Sequence, residues 1–326
     1  MTFDVALPAL DGRDHLAFLA ALGTTRLIPG ARLSFDTDTY TAVIHSQHST
    51  LHEVIGAVRA VVTGMDDDVL IPGVPSGFPE PSRRTGGDPM RVERSQFPQF
   101  ARKHDDPSKT EWIASLVTDL ATDEKGRVML SLLQAPAGKQ AMETMFAKAL
   151  EHLTKDPSHL TRAYTGWKRV PGFTGEYFDH RAQSNAADNP TGESMMMGAP
   201  GPTWLALMAL PCFTVTSVNG RRPDTTGWHR PHRYRPGVFA WPLWRQPLTP
   251  RAITTLIEHP KITITVHDTK KTTDLTTPSD VLTELGIFYV GAASRRKLDG
   301  GKSAGVLAPH TLRHRPPEKR VTATIL

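Results

Sequence analysis

Residues 71–89 read IPGVPSGFPEPSRRTGGDP, with five prolines and four glycines in nineteen positions. Proline removes a backbone donor and clashes with the preceding helical turn, so this stretch is neither a helix interior nor a central strand. It divides the chain into a regular segment over 1–63, an irregular segment over 64–110 and a body over 111–326. So long a connection inside a compact domain usually carries a function or moves.

On either side, hydrophobic periodicity marks regular structure. DHLAFLAALGTTRLI (14–28) places apolar residues at helical spacing behind Asp14, a suitable cap. ARLSFD and TAVIHS alternate like two short strands around the turn DTDT, and TLHEVIGAVRAVV forms a second amphipathic helix with Ser49 or Thr50 as its cap. In the body, EWIASLVTDLA predicts a helix, RVMLSLL a strand, and GKQAMETMFAKALEHL the strongest helix. Its stripe is Met142, Met145, Phe146, Ala149, Leu150 and Leu153. Further helices are expected over PTWLALMAL, PRAITTLIEH and PSDVLTEL, and strands over CFTVTSV, KITITVH and GIFYVGA. Phe239, Trp241 and Trp244 alternate with smaller residues, as core side chains do. Residues 166–200 and the basic block GRRPDTTGWHRPHRYRP (220–236) read as loops, and the basic tail from His310 as frayed. No internal repeat is present. The fold class expected is α+β: mixed helices and short antiparallel strands with long Pro/Gly- and Arg-rich loops.

Composition narrows the function. The 326 residues are 39% hydrophobic and 22% charged, enough to bury a core. The longest apolar run, Trp204 to Val218, is broken by Pro211. No signal peptide is evident, and Cys212 is the single cysteine. That excludes internal disulfides and thiolate zinc clusters and fits a reducing, cytoplasmic setting. Charge is unevenly placed. Residues 1–70 hold four arginines against nine acids, whereas 221–251 hold seven arginines against Asp224 alone, and 295–320 hold eight Lys/Arg against Asp299 and Glu318. An acidic front and two basic blocks suit one face for protein and another for a polyanion.

Catalytic and nucleotide motifs are incomplete. A nucleotide P-loop reads G-x-x-x-x-G-K-S/T. Gly138-Lys139 has Leu133 at the opening-glycine position and Gln140 at the hydroxyl position; Lys302-Ser303 has Arg296 where the opening glycine belongs. What remains at Lys139 and Gln140 is a helix start suited to a phosphate oxygen of a nucleic-acid backbone. His229 and His232 in HRPH, and the dipeptides His104-Asp105 and His267-Asp268, lack the further ligands of a metal site. GEYFDHR offers Glu176, Asp179 and His180 for metal-dependent phosphodiester cleavage. The competing reading has these acids pairing with Arg181, Arg169 or Lys168; it is preferred because no third carboxylate has recognisable spacing. No G-x-S-x-G elbow appears. No cofactor and no bound metal are expected.

The segments TGWKRVPGF, TTGWHRPHRYRPG and AWPLWRQP pair aromatics with cations. Arginine grips phosphates bidentately and an exposed indole stacks on an unpaired base. The expected nucleic-acid contacts are Lys139, Gln140, Trp167, Lys168, Arg169, Arg221, Arg222, Trp228, Arg230, Arg233 and Arg235, with Trp167 and Trp228 exposed.

The opening DGRDHLAFLAALGTTRLIPGARLSFD, the helix AGKQAMETMFAKALEHL and the sequence GPTWLALMALPCFTVTSVNGRR before WPLWRQPLTPRAITTLI resemble CRISPR-associated proteins, most closely the smaller variants of the type I-U (I-G) large-subunit group. The likeness touches about half the chain. It implies a non-catalytic subunit of a Cascade-type, RNA-guided ribonucleoprotein complex with guide RNA, target DNA, other CRISPR backbone subunits and a helicase–nuclease as partners, and no membrane. Such a subunit reads the protospacer-adjacent motif in duplex DNA, supports R-loop formation and helps recruit the helicase–nuclease. The alternatives are a metal-dependent nuclease using Glu176, Asp179 and His180, and a protein–protein scaffold.

Overall fold

The computed structural model describes residues 1–82, 87–134, 141–184, 195–230, 237–267, 272–296 and 305–316. It shows the expected α+β mixture, with short, mostly antiparallel strands in several small sheets. The chain opens with a strand that was not anticipated, β1 (Phe3–Asp11), whose Val5 and Leu7 point inward. Helix α1 (His15–Leu27) follows, capped by the Asp14 carboxylate, which accepts from the Leu16 and Ala17 amides at 2.8 and 3.1 Å. Strands β2 (Arg32–Phe35) and β3 (Thr41–Ser46) complete a sheet of order β1-β3-β2. Helix α2 (Leu51–Thr63) starts from Thr50, which forms a reciprocal capping box with Glu53.

The described residues of the Pro/Gly-rich segment, 64–82 and 87–93, form no helix but lie on the core, burying Ile71, Val74, Phe78 and Met90. It ends in α3 (Phe97–Lys103), and α4 (Pro107–Leu116) follows. The helix expected over EWIASLVTDLA stops at Leu116. Val117–Thr122 is instead strand β4, paired with β5 (Val128–Leu130) across a turn in which Asp123 accepts from Lys125 and Arg127. Helix α5 (Met142–Lys155) buries its whole predicted stripe. Next come α6 (Ser158–Thr165), β6 (Val170–Pro171), β7 (Gln183–Ser184), β8 (Met195–Gly198) and α7 (Pro200–Met208).

The basic block is not a loop throughout. Strand β9 (Val215–Val218) turns at Asn219-Gly220, both left-handed, into β10 (Arg222–Thr225), and β11 (Trp228–His229) joins the edge of β12 (Val238–Trp244). After α8 (Pro250–Ile257), β13 (Ile264–Val266), β14 (Thr273–Leu275) and α9 (Ser279–Glu284), the long β15 (Ile287–Arg296) pairs with β12 and β16 (Val306–Pro309). Part of the tail expected to fray is regular structure. Leu312–His314 is strand β17, parallel to β14, and Arg313 is ion-paired with Asp274 at 2.7 Å.

One hydrophobic core runs from Val5 to Leu307, so the 1–63 segment and the 111–326 body share their packing. Helix α1 is its axis, buried on every side from His15 to Thr25. The apolar helix is therefore covered by its own chain. Phe18 stacks on Phe35 and Trp241 and meets Trp244 edge-on. Trp241 Nε1 donates to Gly12 O at 2.8 Å and Trp244 Nε1 to Leu33 O at 2.7 Å, which ties β12 to the N-terminal sheet. Helix α7, also wholly buried, crosses α1 at Gly23, where an added Cβ would stand 1.7 Å from Leu205 O. It crosses α6 at Gly201, where a Cβ would stand 2.2 Å from His159 O. Among the described residues no helix is long and apolar enough to cross a membrane.

Gly23→Ala should lower stability by about 1–3 kcal/mol or more through overpacking. Gly56→Ala, at an exposed position of α2 with nothing near the added carbon, should raise it by roughly 0.5–1 kcal/mol. Urea midpoints of the two variants check this pair of opposite signs.

Candidate nucleic-acid interface

Two regions carry the cationic and aromatic residues singled out above. The first follows α6. Gly166 ends that helix at φ 148, and Trp167 lies half-buried with its Nε1 donating to Ala163 O at 3.2 Å. Trp167 and Arg169 line one cleft of about 430 Å³ together with Asp11, Asp14 and Arg181. Lys168 is exposed and paired with Asp156 at 2.6 Å, holding that carboxyl well below its ordinary range with help from Ser158. Arg169 turns inward, donating to both oxygens of Asp179 at 2.5 and 3.2 Å and to Met197 O at 2.9 Å.

Behind this cleft, TGEYFDH forms a strained turn. Gly175, Glu176 and Tyr177 have φ of 62, 47 and 63 in succession, a run that costs energy at the two non-glycine positions. Gly198 of β8 lets the turn close, since a Cβ there would meet Gly175 N at 2.5 Å. Asp179, 1% exposed, accepts from Arg169 twice and from the Arg181 and Ala199 amides at 3.0 and 3.3 Å. Four donors fill the lone-pair directions of a carboxylate, so Asp179 is committed to holding the turn. Glu176 is fully buried. His180 lies with its ring centroid 5.3 Å from that of His15, and burial followed by the neighbouring His15 lowers its pKa. Among the described residues no group of three His, Cys, Asp or Glu side chains is placed to hold a metal ion. The pairing of Asp179 with Arg169 is the competing reading of GEYFDHR given above.

Sequence reasoning missed two buried groups here. His15 Nε2 lies 2.6 Å from Phe178 O, which makes it the protonated nitrogen; Nδ1 has no partner, and burial lowers the imidazole's pKa. Arg295, from the second basic block, is buried and caps the carbonyls of Tyr177, Leu132, Leu133 and Gly305, with its pKa pushed down to about 9 by burial. Its position in a strand next to a charge-rich tail disguised it as a surface cation.

The second region is the 221–251 block. Trp228, expected to be an exposed stacking plane, is 7% exposed. Strand β11 pairs Trp228 with Phe239, and strand alternation turns the indole into the core, 6.0 Å from the Phe239 ring. Arg230 is half-buried beside Asp224; burial lowers the guanidinium's pKa and raises the carboxyl's. Arg222 is half-buried on β10, while Arg221 is exposed beside the left-handed turn. Arg245 and Arg251, not singled out from sequence, are exposed as well. The guanidinium groups of Arg221, Arg245 and Arg251 make no ion pair among the described residues. Arg251 lines the cleft of about 740 Å³ at the start of α8, with Arg26, Thr214, Thr249 and Thr255.

Lys139, Gln140, Arg233 and Arg235 lie outside the described residues, as does His232. The start of α5 is described. Its Met142 amide donates to Asp88 Oδ2 at 2.9 Å, an oxygen that also accepts from Gln134 Nε2 at 3.0 Å. A carboxylate of the Pro/Gly-rich segment thus occupies one of the helix-start donors expected for a phosphate.

No protein-family model matches the chain, and no curated protein matches it.

The burial of His15 sets the sign of a pH effect. An imidazole whose folded pKa lies below the unfolded value of about 6.5 contributes stability that is present above that value and is lost as pH falls below it. The urea midpoint should drop between pH 7.5 and 5, and less steeply in His15→Gln. Asp179→Ala should cost roughly 3 kcal/mol at neutral pH, the low end for a broken buried pair, because Arg169 keeps a quarter of its side chain in water.

Proposed function

We propose that this protein is a nucleic-acid-binding subunit of an RNA-guided, Cascade-type CRISPR effector, contributing duplex recognition and support of the R-loop rather than strand cleavage. The observation that carries the reading is the set of guanidinium groups at Arg221, Arg245 and Arg251 that make no ion pair among the described residues, all from the segment with seven arginines and one acid. Cations left without carboxylate partners are available to phosphates. The threonine hydroxyls around Arg251 suit backbone contacts, which position a duplex without reading its sequence. The resemblance of GPTWLALMALPCFTVTSVNGRR and WPLWRQPLTPRAITTLI to CRISPR large-subunit proteins supplies the assembly, since those stretches lead into and out of this same block. Guide pairing would then carry most sequence specificity. The contact set is accordingly shifted: Arg221 stays in it, Arg245 and Arg251 join it, Trp228 and Arg169 leave it.

Anisotropy of a labelled duplex, read from about 50 to 200 mM salt, tests this. The log–log slope should shrink by nearly three in the Arg221→Ala/Arg245→Ala/Arg251→Ala variant, at about 0.9 per lost phosphate contact. An unchanged slope and affinity would remove the reading. Purification with the neighbouring gene products should bring down guide-length RNA and stoichiometric protein partners.

A further inference from the structure

The three strands of the N-terminal sheet place a serine, a histidine and an aspartate in line. Ser34 Oγ lies 2.7 Å from His45 Nε2, and His45 Nδ1 lies 2.6 Å from Asp4 Oδ1. The register explains the alignment. Asp4 on β1 and Arg32 on β2 are the direct partners of His45 on β3, and Ser34 stands two residues beyond Arg32, hence on the same face. The neighbouring residues Val5, Leu33 and Ile44 point to the opposite face, into the core. Rotation of any one strand out of register is opposed by that core, and Leu33 is bonded on its outer side to Leu248 through both N–H and C=O. The three polar side chains are therefore fixed from beneath.

The roles follow from donor chemistry. An ionised carboxylate only accepts, so Asp4 holds the proton on Nδ1 and leaves Nε2 as the acceptor of the Ser34 hydroxyl proton. A nucleophile hydrogen-bonded to a base that is itself oriented by a third group is the signature of an activated serine, whatever its order in the chain. Here the order is Asp4, Ser34, His45, spread over three strands and without an elbow motif, so a search for G-x-S-x-G passes over it. Ser34 and His45 are buried at 5% and 8% exposure, while the Asp4 side chain is 70% exposed. Arg32 is exposed on the same face and makes no ion pair among the described residues. It supplies a positive group one strand step from the nucleophile.

We propose that Asp4, Ser34 and His45 form an acyl-transfer centre for small carboxylic esters that carry a negative charge, with Arg32 holding that charge. Ser34 Oγ bonds to the ester carbonyl carbon as its proton passes to His45 Nε2. The bond to the leaving alkoxide then breaks, and the alkoxide takes that proton. Water, deprotonated in turn by His45, displaces the acyl group as a carboxylic acid and restores Ser34. Ser34 and His45 are the catalytic residues, and Asp4 is a positioning residue.

The full chain is treated with a fluorophosphonate probe and the labelled peptide identified by mass spectrometry, with hydrolysis of the mono-4-nitrophenyl ester of succinate and of 4-nitrophenyl butyrate followed in parallel. Label is expected on Ser34 and lost in Ser34→Ala and His45→Gln. Because Asp4 is exposed, Asp4→Asn should keep its thermal midpoint and its KM while kcat falls by about 10²-fold or more. Arg32→Ala should raise KM for the succinate ester and leave the butyrate ester unchanged. No label at Ser34, or label that survives His45→Gln in a variant with an unaltered melting curve, overturns the proposal. So does an Asp4→Asn variant of full kcat.

Discussion

Helix α1 can be enclosed on every side because two glycines let backbone touch backbone. At Gly23 the carbonyl of Leu205 occupies the volume a side chain would take, and at Gly201 the carbonyl of His159 does the same. Helices α1, α7 and α6 are thereby stacked closer than any residue with a Cβ would permit, and the remaining layers build outward from that stack. The N-terminal sheet and β12 close over Phe18 through Phe35, Trp241 and Trp244, whose indole N–H groups find carbonyls at Gly12 and Leu33. Buried tryptophans with satisfied donors add area without an orphaned polar group.

How much of this was legible before the structure depends on whether a segment's pattern is local. The helices with caps and stripes were: Asp14 and Thr50 mark two starts, and the apolar stripe of α5 is fully buried as its spacing requires. Segments whose identity depends on a distant partner were not. VTDLAT is a strand because VML lies across from it, and RPDT is a strand because it pairs back on VTSV. In the second case a local signal existed, since Asn219-Gly220 is a strong hairpin dipeptide. The density of arginine around it masks that signal.

The same contrast runs through the candidate interface. That Arg169 could neutralise Asp179 followed from proximity in sequence, and the structure makes the pair. The fate of Trp228 did not follow, because one residue of strand register decides whether an indole faces solvent or core. Charge counts likewise measure supply, not availability. Of the residues in 295–320, Arg295 is consumed by four carbonyls and Arg313 by Asp274. Only the cations that remain after such internal pairing can meet a partner, and composition marks the block that holds them without saying which they are.

The crossing of α1 with α7 also has a consequence for synthesis of the chain. Gly23 leaves the ribosome well before Leu205, and at about 5–20 residues per second the intervening stretch takes roughly 9 to 36 s to make. Through that interval a helix that is buried on every side in the finished fold waits without the elements that enclose it. The N-terminal segment cannot settle into its final packing as an early, independent unit, and its apolar surface stays open to association until α7 and β12 have emerged.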